Sequence, residues 1–377
     1  MIRILFVIPT LDRSGAEKQM TLLATRLPAA DFQPEVVALT RGGPYADDLA
    51  RHGIPLTVLN KRLKFDPVAL LRLRKLIRTR RPDVVHTWLF AANAYGRLAA
   101  GGRRRPRIIV SERCVDTWKA AWQHRVDRWL AARADRLVGN SQSVGDFYRD
   151  RGFPAERIRV IPNGIALPAL DASARARVRG QLGIPDNAPV AIYVGRLARQ
   201  KRVDDLIWSA ELVRCIHADF RFLIVGDGPE RPALQRYVRN LQAEHSVLFL
   251  GHSSEVAETL QAADQFWLAS DFEGQSNSLM EAMSSALPVV ASDIPPNREL
   301  VDETRTGLLT AVGDRAAFAQ AALSLFADSD VARRMGQAGR ERMSHEFSVE
   351  AMVARYADLY REVVTGTPAL SGQPVVA

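Results

Sequence analysis

The sequence has few cysteines and no long apolar run, and each absence excludes a class of protein. Only two cysteines, Cys114 and Cys215, occur in 377 residues, so neither a disulfide framework nor a cysteine-rich zinc site is expected. No apolar run reaches the roughly 18 residues typical of a membrane-spanning helix. The mostly apolar run at residues 2–9 is short and is not followed by a cleavage site, so it indicates a buried strand and not a signal peptide. We therefore expect a protein of the reducing cytoplasm.

Positive charge is concentrated in one half of the chain. The formal net charge is +9, but the first 165 residues carry 30 Lys and Arg against 15 Asp and Glu, and the remainder carries 21 against 27. This asymmetry favours an anionic partner for the N-terminal half, which could be a phosphorylated substrate, an anionic bilayer or nucleic acid. A merely solvated arginine-rich surface is the plainer alternative.

Short apolar runs alternate with longer amphipathic stretches, which is typical of parallel sheets covered by helices. The predicted strands before Pro162 are 4–8, 35–39, 83–86, 107–110, 136–139 and 159–161. The pattern then restarts, with predicted strands at 190–194, 221–225, 247–250, 265–268, 289–291 and 307–309. The restart predicts an α/β protein of two doubly wound, Rossmann-like domains, with the carboxyl ends of both sets of strands facing an interdomain cleft.

The segment 162–171 contains proline and glycine and predicts the linker between the two domains. We expect the N-terminal domain at 1–165 and the C-terminal domain at 166–347. A helix at about 348–365 is expected to pack back on the N-terminal domain. Residues 366–377 contain two prolines, two glycines and no charge, which predicts a flexible tail.

Three loops that follow predicted strands have residues suited to binding phosphate. Gly15 opens a helix that a phosphate or a sugar could approach closely. Arg196 and Lys201 are fixed cations that suit a diphosphate. Gly226 and Gly228 begin like a dinucleotide-binding fingerprint, but its third glycine is missing. A tight turn or a solvated loop is the alternative for each.

A fourth loop is more specific, because Glu273 and Glu281 are separated by seven residues. Asn277 between them predicts the N-cap of a helix. The backbone N–H groups of Ser278, Leu279 and Met280 would then face an anion lying between the two carboxylates. A carboxylate beside that anion can accept hydrogen bonds from vicinal ribose hydroxyls. Alternatively, Glu281 only complements the helix dipole.

Taken together, these motifs resemble the retaining family 4 glycosyltransferases, which have the GT-B fold. The resemblance covers nearly the whole chain, and it rests on Ser14-Gly15-Ala16-Glu17, Asp83-Val84-Val85-His86, Ile161-Pro162-Asn163-Gly164-Ile165, Gly195-Arg196-Leu197 with Lys201, Gly226-Asp227-Gly228-Pro229, and Glu273 to Glu281 followed by Leu287-Pro288-Val289-Val290. It implies a hexosyltransferase. Because fixed cations are present and no metal site is evident in the sequence, we expect no catalytic metal, and we expect no cofactor. The donor would be a nucleoside-diphosphate sugar, with UDP favoured over GDP. The acceptor would be a glycan or a lipid-linked molecule in cell-surface polysaccharide or glycolipid synthesis.

The resemblance also implies roles for individual residues. Arg196 and Lys201 would hold the donor diphosphate, and Glu273 would contact the transferred sugar, which makes these three the candidate catalytic residues. Glu281 would hold the ribose. The other implied contacts with the nucleotide sugar are Gly15, Gly195, Gly226, Ser278 and Leu279.

Two positions depart from the family pattern. Arg113, in Ser111-Glu112-Arg113, stands where the family often has a histidine, and only His86 remains of a His-x-His motif. Ser14, His86 and Arg113 are candidate contacts to the acceptor or the sugar, although His86 could equally cap a strand. The acidic triplet 328–330 is better interpreted as a helix N-cap than as a metal site.

In this architecture the N-terminal domain binds the acceptor. The predicted helix 68–80 is amphipathic and rich in arginine, with an apolar face formed by Leu70, Leu73, Leu76 and Ile77. The tryptophans at 118, 122 and 129 and the arginines at 103–105 add to a composition that suits a lipid headgroup layer. We therefore expect peripheral binding at the cytoplasmic face of the membrane, with internal packing of the tryptophans as the alternative.

Two other functions fit parts of the sequence. An NAD(P)-dependent oxidoreductase would share the Rossmann-like sheets, but the sequence has no complete GxGxxG followed by an acidic residue. A nucleic-acid-binding protein would share the positive charge, but no binding motif or aromatic platform is evident. We therefore expect nucleic acid not to be a partner.

Overall fold

The computed structural model describes residues 1–101, 106–117, 119–253 and 255–366. The chain forms two compact units, of which unit 1 comprises Met1–Gly164 with Val349–Ala377 and unit 2 comprises Ile165–Ser348. The arginines at 103–105, Trp118 and the predicted tail beyond residue 366 lie outside the described residues.

Strands and helices alternate along almost the whole chain. The strands are β1 (Ile2–Ile8), β2 (Phe32–Ala38), β3 (Leu56–Val58), β4 (Val84–Trp88), β5 (Arg107–Glu112), β6 (Arg136–Gly139), β7 (Ile158–Val160), β8 (Val190–Val194), β9 (Arg221–Val225), β10 (Val247–Gly251), β11 (Gln265–Leu268), β12 (Val289–Ser292) and β13 (Gly307–Thr310). The helices are α1 (Gly15–Arg26), α2 (Tyr45–Arg51), α3 (Pro67–Arg80), α4 (Leu89–Ala99), α5 (Ala121–Ala131), α6 (Gln142–Asp150), α7 (Ala172–Leu182), α8 (Val203–Ile216), α9 (Arg231–Asn240), α10 (Val256–Gln261), α11 (Asn277–Ser284), α12 (Pro295–Arg298), α13 (Arg315–Ala327), α14 (Ser329–Glu346) and α15 (Val349–Thr365).

The described residues of unit 1 form one parallel sheet of seven strands, in the order β3-β2-β1-β4-β5-β6-β7. Those of unit 2 form a parallel sheet of six strands, in the order β10-β9-β8-β11-β12-β13. In both sheets the strand order reverses beside the first strand of the unit, which is the doubly wound arrangement. The predicted fold class is therefore confirmed as two Rossmann-like α/β domains. The short edge strand β3 was not predicted.

The core of each unit lies where the sheet is covered by helices. In β8 every residue is buried, as expected for a central parallel strand with helices on both faces. Trp267 of β11 stacks on Phe220 with ring centroids 5.6 Å apart, and both side chains are fully buried. Such continuous apolar strands made the sheets visible in the sequence.

Helix α15 returns to unit 1 and completes its core. Met352, Tyr356 and Tyr360 are buried in the same apolar cluster as Phe6 of β1. The rings of Phe6 and Tyr360 meet edge to face at 6.4 Å. The last helix is therefore an integral layer of unit 1 and not an appendage.

Polar side chains fix the starts of several helices. The Asp66 carboxylate accepts a hydrogen bond from the Ala69 N–H at 3.0 Å, with Pro67 at the first position of α3, as is common in helices. Asp328 accepts from the N–H groups of residues 330 and 331 at the start of α14, so the N-cap interpretation of this acidic triplet is confirmed.

Among the described residues, no helix combines the length and the apolar character needed to cross a bilayer.

The chain leaves unit 1 at Gly164 and returns at Val349, and the two segments pack closely there. A Cβ atom on Gly164 would lie 2.8 Å from the Val349 Cα and 3.1 Å from the Met352 Cβ. The buried side-chain amide of Gln19 donates to the Gly164 carbonyl at 2.9 Å and accepts from the Gly164 N–H at 2.9 Å. Glycine at this position therefore permits an approach that a larger residue would block.

We expect Gly164→Ala to destabilise the protein by about 1–3 kcal/mol, the typical cost of an overpacked buried site. The measurement is the shift of the denaturation midpoint in urea. Gly180→Ala is the matched control, because Gly180 lies exposed in α7 and a methyl group added there would have no atom within 4 Å. That control should increase the free energy of unfolding by up to about 1 kcal/mol, because alanine has a higher helix propensity than glycine. Native-like stability of Gly164→Ala would contradict the tight contact.

Candidate functional site

The loops that follow β8 and β9 in unit 2 are bonded to each other. The N–H of Leu197 donates to the Asp227 carbonyl at 2.9 Å. A Cβ on Gly226 would lie 1.9 Å from the Gly195 carbonyl oxygen, and one on Gly228 would lie 2.3 Å from that of Leu197. Close packing of the two loops therefore accounts for Gly226 and Gly228, which had suggested part of a dinucleotide fingerprint.

Lys201 and Glu273, two of the candidate catalytic residues, form an ion pair between Nζ and Oε1. Their side chains are 15% and 9% exposed, and the Ser270 hydroxyl donates to the same carboxylate oxygen at 2.7 Å. Lys201 follows β8 and Glu273 follows β11. Because these strands are neighbours in the sheet, residues far apart in sequence meet at its carboxyl edge.

Arg196, the third candidate catalytic residue, lies exposed in the loop after β8. Within the described part of the chain, no carboxylate pairs with its guanidinium group. Its carbonyl accepts a hydrogen bond from the Tyr193 hydroxyl at 3.0 Å. Burial raises the pKa of Tyr193 well above its usual value, so the phenol stays neutral and keeps donating. The loop is therefore anchored while the arginine side chain can reach an anion.

Helix α11 begins one residue earlier than predicted. Its N-cap is Ser276, whose hydroxyl accepts from the Leu279 N–H at 3.4 Å, so the prediction that Asn277 is the cap was wrong. Serine and asparagine are nearly equal as N-caps, and propensity could not choose between neighbours. The Leu279 N–H, expected to face an anion, is directed to this cap. The Met280 N–H likewise donates to the Ser276 carbonyl at 3.1 Å.

Glu281 lies half-buried in the second turn of α11, and Ser278 lies half-buried in the first. The Glu281 carbonyl accepts from the hydroxyls of Ser284 and Ser285 at 2.8 and 2.9 Å, which ties down the end of this short helix. Glu273 and Glu281 therefore flank the start of one helix, as the spacing predicted.

In unit 1, α1 begins at Gly15 with Ser14 exposed before it. The Ser14 hydroxyl donates to one oxygen of Glu17, and Thr10 donates to the other at 3.2 Å. Burial raises the pKa of Glu17. The first turn of α1 is thus bonded to the loop before it, and Ser14 belongs to that connection.

His86, a candidate substrate contact, is fully buried in unit 1. Its Nδ1 lies 2.7 Å from the Tyr360 hydroxyl and its Nε2 lies 2.8 Å from the Ser111 hydroxyl. Burial, with a contribution from Arg113, lowers the pKa of the imidazole well below its usual value. Of the two interpretations left open by the sequence, this neutral and fully bonded ring supports the structural one.

Arg113, the replacement for the expected histidine, is also enclosed by unit 1. It donates to the Tyr356 hydroxyl at 3.3 Å and to the side-chain oxygen of Asn163. Its guanidinium group lies 4.5 Å from the centroid of the Trp88 ring, and Trp88 is itself fully buried. The partners of this arginine in the structure are therefore protein groups.

A buried ionic cluster beside Arg113 was missed by the sequence analysis. Lys119, whose side chain is 1% exposed, lies among Glu112 (3.4 Å), Asp116 (2.8 Å), Asp127 (3.3 Å) and the Tyr148 hydroxyl (2.7 Å). Burial raises the pKa of Glu112 to about 7. Burial alone would lower the pKa of Lys119, but the three carboxylates outweigh it and raise that pKa. No motif marks such a cluster in a single sequence.

Across the described ranges, no group of three or more His, Cys, Asp and Glu side chains is arranged to hold a metal ion. The candidate residues that follow β8 and β11 at the carboxyl edge of the unit 2 sheet are two cations, Arg196 and Lys201, and two carboxylates, Glu273 and Glu281. Such a set can bind a diphosphate and sugar hydroxyls together.

Comparison with known proteins gives this set a context. Residues 174–342 match the family described as Glycosyl transferases group 1, and residues 13–167 match Glycosyltransferase Family 4. The alpha-maltose-1-phosphate synthase of Mycolicibacterium smegmatis is 30% identical over 74% of this chain and 79% of its own length. A UDP-Gal:alpha-D-GlcNAc-diphosphoundecaprenol alpha-1,3-galactosyltransferase of Escherichia coli is 28% identical over 93% and 94%.

Among solved structures, Anabaena HepE in complex with UDP-glucose superposes with a TM-score of 0.86 at 24% identity, covering 96% of this chain and all of its own. That likeness establishes the GT-B fold. The two family matches leave few residues between them, and both families are glycosyltransferases. The chain belongs to the family 4 glycosyltransferases, and it is a nucleotide-sugar-dependent enzyme of the GT-B type.

Proposed function

We propose that the protein is a retaining transferase that moves a hexose from a UDP-sugar to a glycan or lipid-linked acceptor without using a metal ion. The observation that carries the proposal is the Lys201–Glu273 pair beside the exposed Arg196, at the carboxyl edge of the unit 2 sheet. Nearly buried charges of this kind need a partner of opposite sign. The pair satisfies that need in the absence of a donor.

Departure of a nucleoside diphosphate leaves negative charge on its terminal phosphate, and catalysis needs that charge to be stabilised. Arg196 can bind two phosphate oxygens, while Lys201 supplies a compact charge. As the diphosphate engages Lys201, the Glu273 carboxylate becomes able to accept hydrogen bonds from sugar hydroxyls. One ion pair thereby provides both a phosphate ligand and a sugar ligand.

The names of relatives support UDP as the nucleotide. One relative uses UDP-Gal, and HepE was solved with UDP-glucose. A GDP-mannose-dependent alpha-mannosyltransferase of Mycobacterium tuberculosis, 32% identical over 66% of this chain and 65% of its own length, keeps GDP as the second candidate. Retention follows from the resemblance to the retaining family.

Activity should survive EDTA, because fixed cations take the role of a metal. The test is a screen of UDP-, GDP- and ADP-sugars for hydrolysis and transfer, followed by NMR of the anomeric proton in the product. Arg196→Ala should lose about 10²–10³ in kcat, the scale for one charge-stabilising donor. Arg199→Ala, an exposed arginine in the same loop, is the control and should keep native kcat. Inhibition by EDTA that Mn²⁺ reverses would overturn metal independence.

Glu281→Gln should raise the donor KM at least about tenfold, because charged hydrogen bonds to the ribose hydroxyls contribute about 1.5–3 kcal/mol. Calorimetry should find weaker binding of UDP but unchanged binding of inorganic pyrophosphate. The exposed Glu244→Gln serves as the control for loss of one charge. Equal affinities of native and Glu281→Gln protein for UDP would rule out the ribose contact.

We also propose that unit 1 binds the cytoplasmic face of an anionic membrane, although the surface responsible differs from the predicted one. Leu73 and Ile77, expected on the membrane-facing side of α3, are buried in the core of unit 1 together with Ala69. The apolar side chains that α3 and its preceding loop expose are Leu63, Phe65, Val68 and Leu71, which are 54–64% exposed.

These four residues, here called the α3 apolar strip, lie among exposed basic residues. The neighbouring cations are Arg62, Lys64, Arg72, Arg74, Lys75 and Arg78, whereas the nearby carboxylate of Asp66 is buried as the helix N-cap. Trp122 and Trp129 of α5 are 58% and 64% exposed. Each basic residue near an anionic leaflet contributes about 1 kcal/mol, and exposed apolar side chains add binding at the headgroup boundary.

Native protein should sediment with vesicles containing anionic lipid at low salt and remain in solution with neutral vesicles. Changing the four strip residues to serine should weaken binding at every salt concentration, and changing Arg72, Arg74, Arg78 and Arg81 to serine should reduce its salt dependence. Ile216→Ser, at an exposed apolar residue of unit 2, is the control. Native protein that stays in the supernatant would assign this surface to a different partner.

A further inference from the structure

We infer that Arg113 and Gln19 are positioning residues that fix Asn163 and Gly164, the last residues of unit 1 before the chain crosses into unit 2. Through them these two residues are tied to the end of β5 and to helix α1. This inference rests on the proposed transferase function and adds to it a role for two residues that contact no substrate.

The first tie runs from the end of β5. Arg113, 9% exposed, donates to the side-chain oxygen of Asn163, which is 2% exposed. The arginine cannot swing freely, because the Tyr356 hydroxyl accepts from it at 3.3 Å and Trp88 covers its face at 4.5 Å. A buried, charge-assisted hydrogen bond of this kind is strong and directional.

The second tie runs from α1. Gln19 lies one helical turn beyond Gly15, the residue that opens the helix. Its fully buried amide forms two hydrogen bonds with Gly164, one to the carbonyl and one from the N–H, both at 2.9 Å. A side chain that satisfies both polar groups of a single peptide residue leaves that residue little freedom to rotate.

On the far side of the joint the backbone is fixed as well. The Ile165 N–H donates to the Phe347 carbonyl at 2.8 Å, and Ile165 pairs with Ser348 as a parallel bridge. Gly164 is held by unit 1 and Ile165 by unit 2, so the backbone is fixed on both sides of the peptide bond that joins these two residues.

Through this arrangement a ligand bound by unit 1 could affect Asn163 and Gly164. A ligand that orders the first turn of α1 or the end of β5 also orders Gln19 or Arg113, and hence Asn163 and Gly164. Both routes consist of packed or hydrogen-bonded groups inside unit 1. Arg113 therefore influences turnover through Asn163, and a direct contact between Arg113 and sugar is not required.

A double-mutant cycle separates the two roles. We expect Arg113→Lys and Asn163→Leu each to lower kcat about tenfold, and the double variant to lose no more than the more affected single variant, because both break the same tie. Asn163→Asp keeps an acceptor opposite Arg113 and should restore near-native kcat. Losses that multiply to about a hundredfold in the double variant would place Arg113 directly on the substrate and overturn the inference.

Hydrogen exchange provides a readout that does not depend on activity. Arg113→Lys and Gln19→Met should speed amide exchange in peptides covering residues 161–166. Arg179→Lys, at a fully buried arginine of unit 2, should leave that exchange unchanged even if it lowers the melting temperature. Unchanged exchange in both unit 1 variants would overturn the inference. A native chain that neither binds UDP nor hydrolyses any sugar nucleotide would instead refute the proposed function.

Discussion

Parallel strand pairing is the constraint on which the polar chemistry of this protein depends. In a parallel sheet every strand ends at the same edge, so loops distant in sequence become neighbours when their strands pair. Lys201 and Glu273 are 72 residues apart but meet because β8 lies beside β11. His86 and Ser111 meet in unit 1 because β4 lies beside β5. In both units the order of strands decides which polar side chains meet.

Much of this could be predicted from the sequence because apolar strands in parallel sheets are continuous and easily recognised. Each predicted run overlaps a strand of the structure, whereas β3, three half-buried residues at a sheet edge, has too few apolar contacts to leave such a pattern. The Glu273–Glu281 spacing correctly predicted two carboxylates flanking a helix start. Tertiary packing decides which residue caps that helix, because Ser276 and its neighbour Asn277 are nearly equal as caps. It also decides whether His86 faces solvent or the core, because the burial of His86 depends on a helix that begins 263 residues later in the chain.

The two nearly buried lysines illustrate how an ionic cluster can serve structure or chemistry. Lys119 is surrounded on several sides by carboxylates and a phenol, so no position is left for a ligand without breaking several contacts. Lys201 has one carboxylate partner and is more exposed. A buried charge with many partners costs several kcal/mol to disturb, whereas one with a single partner can exchange it for an anion of higher charge. The number of partners thus distinguishes the two lysines better than burial does.

The position of helix α15 in the sequence determines the order in which the two units can finish folding during synthesis. Tyr356 and Tyr360, which bond Arg113 and His86, are synthesised after unit 2, whereas the strands they cover are synthesised before it. Unit 2 is contiguous in sequence and can fold as soon as Ser348 has emerged. The sheet of unit 1 must therefore wait, with its aromatic face uncovered, until the inserted unit has been completed. Unit 1, although its strands are synthesised before unit 2, therefore finishes folding after unit 2.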